Sequence, residues 1–212
     1  MLRSAREQGT KGLCYAPRMR RILDPKTAKV AVELTNRCNL RCSMCPMNKL
    51  GRPDADMEWG LVEKVAADFR DNGLTVSWLH EMGDPLLYPR LAEAIDLFPN
   101  CSVSTNAMLL DERMGRDLVA TSLRRIRLCI DTLNPRVYPF IRRGGRFEEV
   151  VENVRTFLEV SKGSSMTVEI QRLITLDFVD GLAAGEAVRA SGICREFPEL
   201  AARTLALGVY GE

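Results

Sequence analysis

Residues 30–46, VAVELTNRCNLRCSMCP, decide the fold and contain the first candidate site. The stretch begins with an apolar run at 30–35, which is typical of a short buried β-strand. Cys38, Cys42 and Cys45 follow in a C-x3-C-x2-C array, which we call the cysteine triad. Because parallel α/β folds carry their chemistry at the carboxyl ends of strands, this position indicates a functional loop.

The spacing of the cysteine triad favours an iron–sulfur cluster. A [4Fe–4S] cluster has four irons that thiolates can hold, and three close cysteines leave one iron open to a small ligand. A zinc site with His80 or another cysteine as fourth ligand stays open, but such sites usually contain a second close pair, which this sequence lacks. Inert buried thiols are the third interpretation. The neighbours of the triad are polar, which is not core composition: Asn36, Arg37, Asn39 and Arg41.

The composition is that of an ordinary globular protein with one domain. The chain has 212 residues, 46% of them hydrophobic, and a net charge of +2, so there is no strong signal for a nucleic-acid partner. No apolar run approaches the roughly 18 residues of a membrane span, and no apolar segment follows the basic amino terminus as in a secretory signal. Seven cysteines, of which three are clustered, indicate a reducing compartment, and we expect a cytoplasmic protein.

Strands and helices alternate along the chain. Residues 1–28 are rich in Lys and Arg and contain two prolines, so we expect a basic arm before the first strand. The residue patterns predict strands at 30–35, 74–80, 101–105, 125–131 and 166–174, and helices at 57–70, 90–97, 111–121, 147–160 and 181–190. Asp111 is the expected N-cap of the third helix. This rhythm predicts parallel βαβ units and an α/β fold, and it leaves open whether the sheet closes into a barrel.

The cysteine stretch and four later segments resemble the radical S-adenosylmethionine (SAM) superfamily. Around the triad the matching context is TNRCNLRC, and the later segments are MEWGL at 57–61, GDPLLYP at 83–89, STNA at 104–107 and IDT at 130–132. The similarity covers about residues 29–178 and is to the catalytic half of SPASM-type and molybdenum-cofactor-biosynthesis-like members.

This resemblance implies an α/β fold, a partial (β/α)6 TIM-like barrel with parallel strands that we expect to be incomplete at the carboxyl terminus. No sixth strand and helix are evident after residue 192. The expected domains are the basic arm at 1–28, a radical SAM core at 29–192 and a short, truncated segment at 193–212.

The resemblance also implies two cofactors, a [4Fe–4S] cluster and SAM. The cysteine triad would hold three irons and leave the fourth to the methionyl group of SAM. The amino group of SAM would be received by the backbone at Met82 and Gly83 and by the side chain of Asp84, which stands where glutamate is common in the family. Three further residues would face ribose, the methionyl carboxylate or substrate: Asn106, Cys129 and Gln171.

The expected function is that of a radical SAM enzyme. A reduced cluster passes one electron to SAM, and the resulting 5′-deoxyadenosyl radical abstracts hydrogen from a peptide or a sugar- or nucleoside-type substrate. An electron donor such as flavodoxin or ferredoxin is an expected partner. The alternative is a non-catalytic or incomplete iron–sulfur or zinc scaffold that acts with a partner. A phosphate-binding α/β protein ranks last, because the sequence has neither G-x-G-x-x-G nor G-x4-G-K-[ST].

His80 is the sole histidine of the chain and stands at the end of the second predicted strand. It is therefore a candidate acid or base toward substrate. A packed or hydrogen-bonded histidine is the other interpretation, and the sequence favours it because an ordinary pKa alone does not make a histidine catalytic. The roles of Tyr88, Arg142 and Arg143 are open in the same way.

Overall fold

A parallel six-stranded sheet is the centre of the computed structural model, which describes residues 29–172 and 205–206. The strands are β1 (Val30–Ala31), β2 (Val76–Trp78), β3 (Ser102–Thr105), β4 (Arg125–Cys129), β5 (Thr167–Arg172) and β6 (Leu205–Ala206). They lie side by side in chain order, and every neighbouring pair is parallel. The predicted α/β class is confirmed, with the strand order of a partial (β/α)6 barrel.

Between β1 and β5, the described residues form the α-helices α1 (Trp59–Asp71), α2 (Leu91–Leu97), α3 (Glu112–Val119), α4 (Tyr138–Ile141) and α5 (Phe147–Val160). Two 3-10 turns, Pro46–Lys49 and Pro85–Leu87, follow the cysteine triad and the GDP segment. The predicted N-cap of α3 is confirmed, since the carboxylate of Asp111 accepts a 2.8 Å hydrogen bond from the backbone N–H of Met114.

The two faces of the sheet differ in character. One face carries fully buried apolar residues such as Ile126, which join the helices in one hydrophobic core. The other face carries polar side chains in register across β4 and β5, where Arg127 lies opposite Glu169 and Cys129 opposite Gln171. Side chains alternate between faces along a strand. The polar face therefore leads to the strand ends where the candidate site lies.

The structure differs from the predicted bounds mainly at strand ends. Strands β1 and β2 end at Ala31 and Trp78, earlier than predicted. After β1 the chain turns to the segment that precedes α1, where the N–H of Met57 donates to Leu34 O at 2.7 Å. Helix α4 has no counterpart among the predicted elements. Strand β6, which was not evident in the sequence, pairs with the end of β5.

Several predictions lie outside the described residues. These are the basic arm at 1–28, the helix at 181–190 and, apart from β6, the segment at 193–212. The division into domains therefore stays a prediction. Within the part of the chain that the structure describes, no helix is long and apolar enough to cross a membrane.

Candidate functional site

The loop that carries the cysteine triad is anchored at its start by side chains. The amide of Asn36 donates to Pro53 O at 2.8 Å and accepts from the N–H of Ala55 at 2.7 Å. Arg37 forms a bidentate ion pair with Asp56, at 2.9 and 2.8 Å. These bonds tie the loop to the segment before α1, so the position of the first cysteine does not depend on the loop alone.

The middle of the loop is held from the opposite side by the end of helix α4. The N–H of Arg41 donates to Arg143 O and that of Ser43 to Ile141 O, both at 2.9 Å. Cys42 lies between these two bonds. Its backbone is therefore fixed against a segment about 100 residues away in the sequence.

A cavity of about 320 Å³ opens beside the loop at the carboxyl ends of the strands. All three thiols of the cysteine triad line it, and none forms a disulfide. Five further predicted site residues line the same cavity: Gly83, Asp84, Asn106, Cys129 and Gln171. The structure thus brings together every predicted site residue except Met82. The N–H of Met82 donates instead to Glu33 Oε2 at 2.9 Å.

Gly83 is held against the backbone that leads into the cysteine triad. Its φ is +80°, and a Cβ there would lie 2.6 Å from Arg37 O and 2.8 Å from Thr35 O. The next residue continues this contact, because the N–H of Asp84 donates to Arg37 O at 2.8 Å. Glycine is therefore required by close packing of the two loops as well as by its backbone conformation.

The carboxylate of Asp84 is buried and joins the segment after β2 to the end of β3. It accepts the N–H groups of Leu86 at 3.0 Å and Asn106 at 2.8 Å, and the hydroxyl of Thr105 at 2.9 Å. Burial raises its pKa, although these three donors oppose the shift. Most of its hydrogen-bonding capacity is used within the protein.

Asn106 links β3 to the cysteine loop. Its side-chain amide donates to Asn39 Oδ1 at 2.8 Å and lies 3.8 Å from the sulfur of Cys38. Its oxygen accepts the N–H of Met108 at 2.9 Å. Since both ends of the amide are engaged, the side chain has one fixed orientation at the cavity wall.

Cys129 forms the centre of a polar row across three strands. Its sulfur lies 2.9 Å from Ser104 Oγ on β3 and 3.6 Å from Gln171 Oε1 on β5. Burial raises the pKa of the Cys129 thiol, so it is protonated near neutral pH. These three side chains are therefore uncharged and offer hydrogen-bonding groups to the cavity.

Two thiols of the cysteine triad are also shifted toward the protonated form. Burial raises the pKa of Cys38 to about 11. It also raises that of Cys42, against the effect of the nearby Arg142 guanidinium. Metals and clusters bind thiolates, so occupation of this site must release protons.

Arg142 is a cavity residue that was not among the predicted site residues. Its Nε lies 2.7 Å from Asp131 Oδ2, and its Nη1 lies 3.6 Å from the sulfur of Cys42. Both side chains of the ion pair are largely buried, with 13% of Arg142 and 1% of Asp131 exposed. The family resemblance included Asp131 in the IDT segment. No sequence pattern indicated that it pairs with Arg142, because Arg142 follows α4, a helix that was not predicted.

His80 lines the cavity and has no hydrogen bond to its buried Nδ1 from any residue in the described part of the chain. Its ring lies edge-on to Trp78, with 5.3 Å between centroids. Burial, and next the charge of Arg127, lower its pKa to about 4. The imidazole is therefore neutral at physiological pH. Of the packed or hydrogen-bonded histidine that the sequence favours, the structure shows the packed form.

Comparison with known proteins identifies the family. The family model of the Radical SAM superfamily matches residues 32–170, more than half of the chain. The chain belongs to the Radical SAM superfamily. Members of this family are enzymes that use a [4Fe–4S] cluster and SAM, so the two expected cofactors and the expected class of protein are confirmed.

The curated relatives include GTP 3′,8-cyclases, two of which illustrate the match. The chain is 31% identical over 134 residues to the enzyme of Peptoclostridium acidaminophilum, covering 58% of this chain and 40% of that protein. It is 29% identical over 139 residues to the probable enzyme of Methanocaldococcus jannaschii, covering 61% and 45%. The chain thus spans less than half the length of these relatives.

Solved structures share the fold. SuiB of Streptococcus suis bound to SAM matches with a TM-score of 0.60 at 20% identity, covering 78% of this chain and 37% of that one. The protein anSMEcpe with bound SAM matches with a TM-score of 0.62 at 17% identity, covering 79% and 48%. These likenesses confirm the α/β partial-barrel fold.

A second family model, RnfH family Ubiquitin, matches residues 165–212. That match covers less than a quarter of the chain and falls mostly outside the described residues. Residues 167–172 within it form β5 of the parallel sheet.

Proposed function

We propose that this chain carries the catalytic core of a radical SAM enzyme, with a [4Fe–4S] cluster on the cysteine triad and SAM in the adjoining cavity. The observation that carries the proposal is the arrangement of three free thiols on the wall of one cavity, opposite polar groups from β3, β4 and β5. Bound there, the two cofactors would supply a 5′-deoxyadenosyl radical that abstracts hydrogen from a substrate.

The thiols fit a cluster better than a single metal ion. A zinc site draws four ligands to one point, about 2.0 to 2.3 Å from the ion. Within residues 29–172 and 205–206, no three His, Cys, Asp or Glu side chains are placed to hold one metal ion. A cubane cluster spreads its thiolates over separate irons. This supports the cluster over the zinc scaffold.

The cavity offers complementary groups for the polar parts of SAM. Its volume of about 320 Å³ lies in the range of small-molecule sites. The amino group would face Gly83 and Asp84, and the guanidinium of Arg142 is the cation that a carboxylate needs. The remaining predicted contacts, Asn106, Cys129 and Gln171, would orient ribose or substrate by hydrogen bonds.

For the substrate we propose a peptide or a sugar- or nucleoside-type molecule. The GTP 3′,8-cyclases share about 30% identity with the chain, which favours a nucleoside-type substrate. SuiB, which has been crystallised with its precursor peptide SuiA, is 20% identical. The one-electron reduction requires a donor, and we propose a flavodoxin or ferredoxin.

Anaerobic reconstitution with iron and sulfide tests the metal site. We expect about four irons per chain and the visible absorption of a [4Fe–4S] cluster. Serine variants of the cysteine triad, Cys38→Ser, Cys42→Ser and Cys45→Ser, should each lose the cluster. Cys101→Ala is the matched control, because Cys101 is fully buried and lies outside the cavity lining. Stoichiometric zinc without iron, or a cluster retained by all three variants, would overturn the proposal.

A further inference from the structure

The surroundings of Cys42 include a buried positive charge. The guanidinium of Arg142 approaches the sulfur of Cys42 to 3.6 Å, and only 13% of its side chain is exposed. A charge that is buried in this way is weakly screened by water and salt. The electrostatic effect of Arg142 on a group bound to Cys42 is therefore larger than that of a surface arginine.

Asp131 fixes the position of this charge. Its carboxylate lies 2.7 Å from Arg142 Nε and is almost fully buried. The backbone of Asp131 has a φ of +66°, in the left-handed region that few residues other than glycine, asparagine and aspartate adopt. Asp131 thus combines a left-handed backbone, two residues after the end of β4, with a buried ion pair to Arg142.

The main chain on both sides of Arg142 is bonded to the cysteine loop. Arg143 O and Ile141 O accept the N–H groups that flank Cys42, both at 2.9 Å. The N–H of Arg142 itself donates to Tyr138 O at 2.8 Å within α4. The guanidinium and the sulfur are thus parts of one bonded unit, and their distance is set by backbone as well as by the ion pair.

A fixed cation beside one thiolate has a definite effect on a cluster. Reduction adds one negative charge, so a nearby positive charge stabilises the reduced form more than the oxidised form. Net charge and hydrogen bonds to the sulfurs are established determinants of cluster potentials. The carboxylate of Asp131 opposes this effect and holds the guanidinium in place.

We propose that Arg142, held by Asp131, is a positioning residue that raises the reduction potential of the cluster through Cys42. This inference rests on the proposed function, because it requires a cluster on the cysteine triad. It assigns the ion pair between β4 and α4 a role in making the first electron transfer easier for a protein donor.

The test is a redox titration of the reconstituted protein followed by electron paramagnetic resonance, without SAM. At the wild-type midpoint, Arg142→Gln should change the ratio of reduced to oxidised cluster by about tenfold toward oxidised, a shift of about 59 mV. Asp131→Asn removes the opposing charge while asparagine tolerates the left-handed backbone, so its midpoint should rise. Arg143→Gln is the matched control: it removes an exposed arginine next in sequence, and its midpoint should equal that of the wild type.

Equal midpoints in the wild type, Arg142→Gln and Asp131→Asn would overturn the inference, as would an equal shift in Arg143→Gln. If Arg142→Gln holds no cluster, Arg142→Met takes its place: it keeps the length of the side chain and removes the charge, so a midpoint below that of the wild type supports the inference and an equal midpoint overturns it. Failure of the proposed function would look different. The wild-type protein would then hold no cluster, or would hold a reducible cluster that does not cleave SAM.

Discussion

The packing around Gly83 allows only glycine at this position. Family resemblance marked this glycine as a contact for SAM, and the structure adds the reason that no side chain fits. The backbone of residues 35–37 occupies the space where a Cβ would stand. Sequence alone could not supply that reason, since the contact joins segments almost 50 residues apart.

Gly83→Ala should be severely destabilising. A Cβ at 2.6 Å from a backbone oxygen must displace the cysteine loop, and we expect a cost above about 4 kcal/mol in the free energy of unfolding. The matched control is Gly73→Ala, whose φ of +64° is similarly left-handed but which has no atom within 4 Å of the Cβ position. That variant should lose about 1 to 2 kcal/mol. Urea unfolding measures both, and equal losses would refute the packing argument.

His80 should make stability depend on pH. Its pKa in the folded chain is about 4, below the value of about 6.5 in an unfolded chain, so between these values the unfolded state binds more protons. Stability from this group is complete above about pH 6.5 and is lost as the pH falls toward 4. From pH 7 to pH 5 the loss should be about 2 kcal/mol.

His80→Gln provides the comparison, because it removes the titrating ring from the only histidine of the chain. Urea unfolding at pH 7 and pH 5 should show a smaller pH-dependent loss in this variant than in the wild type. An equal loss in both proteins would mean that other groups carry the pH dependence.

Elements whose signals are local were predicted closely. Helix α5 has the predicted bounds, since its apolar period is uninterrupted and a Gly-Gly break precedes it, and α3 has the predicted cap at Asp111. Strand ends were predicted less well. A strand ends where its hydrogen bonds to the neighbouring strand end, which depends on tertiary structure. The residue patterns therefore extended the first two strands to Thr35 and His80, beyond their observed ends.

The buried carboxylate of Asp84 should contribute strongly to the joint between the segment after β2 and the end of β3. Asp84→Ala leaves the N–H groups of Leu86 and Asn106 and the hydroxyl of Thr105 without this acceptor, and we expect a loss of about 3 kcal/mol in unfolding free energy. Asp117→Ala, on the exposed side of α3, should change it by less than about 0.5 kcal/mol. If the two variants are equally stable, the Asp84 carboxylate does not stabilise the contact between the segment after β2 and the end of β3.

For the whole molecule, the order of the sheet explains why the site could be predicted so far. Parallel strands end at the same edge, so residues at or just after the ends of β2, β3, β4 and β5 meet beside the loop that follows β1. Asn106, Cys129 and Gln171 line the cavity for that reason. Arg142 was left unassigned because it follows no strand directly and reaches the site through contacts across 100 residues of sequence.

The central claim is that the cysteine triad and its cavity form a site for reductive cleavage of SAM. The most direct measurement is the chromatographic quantification of 5′-deoxyadenosine after anaerobic reconstitution, reduction with dithionite and addition of SAM. We predict that the wild type and Cys101→Ala produce it and that Cys42→Ala does not. A wild-type protein that holds a reducible [4Fe–4S] cluster yet forms no 5′-deoxyadenosine above the Cys42→Ala background would contradict the claim.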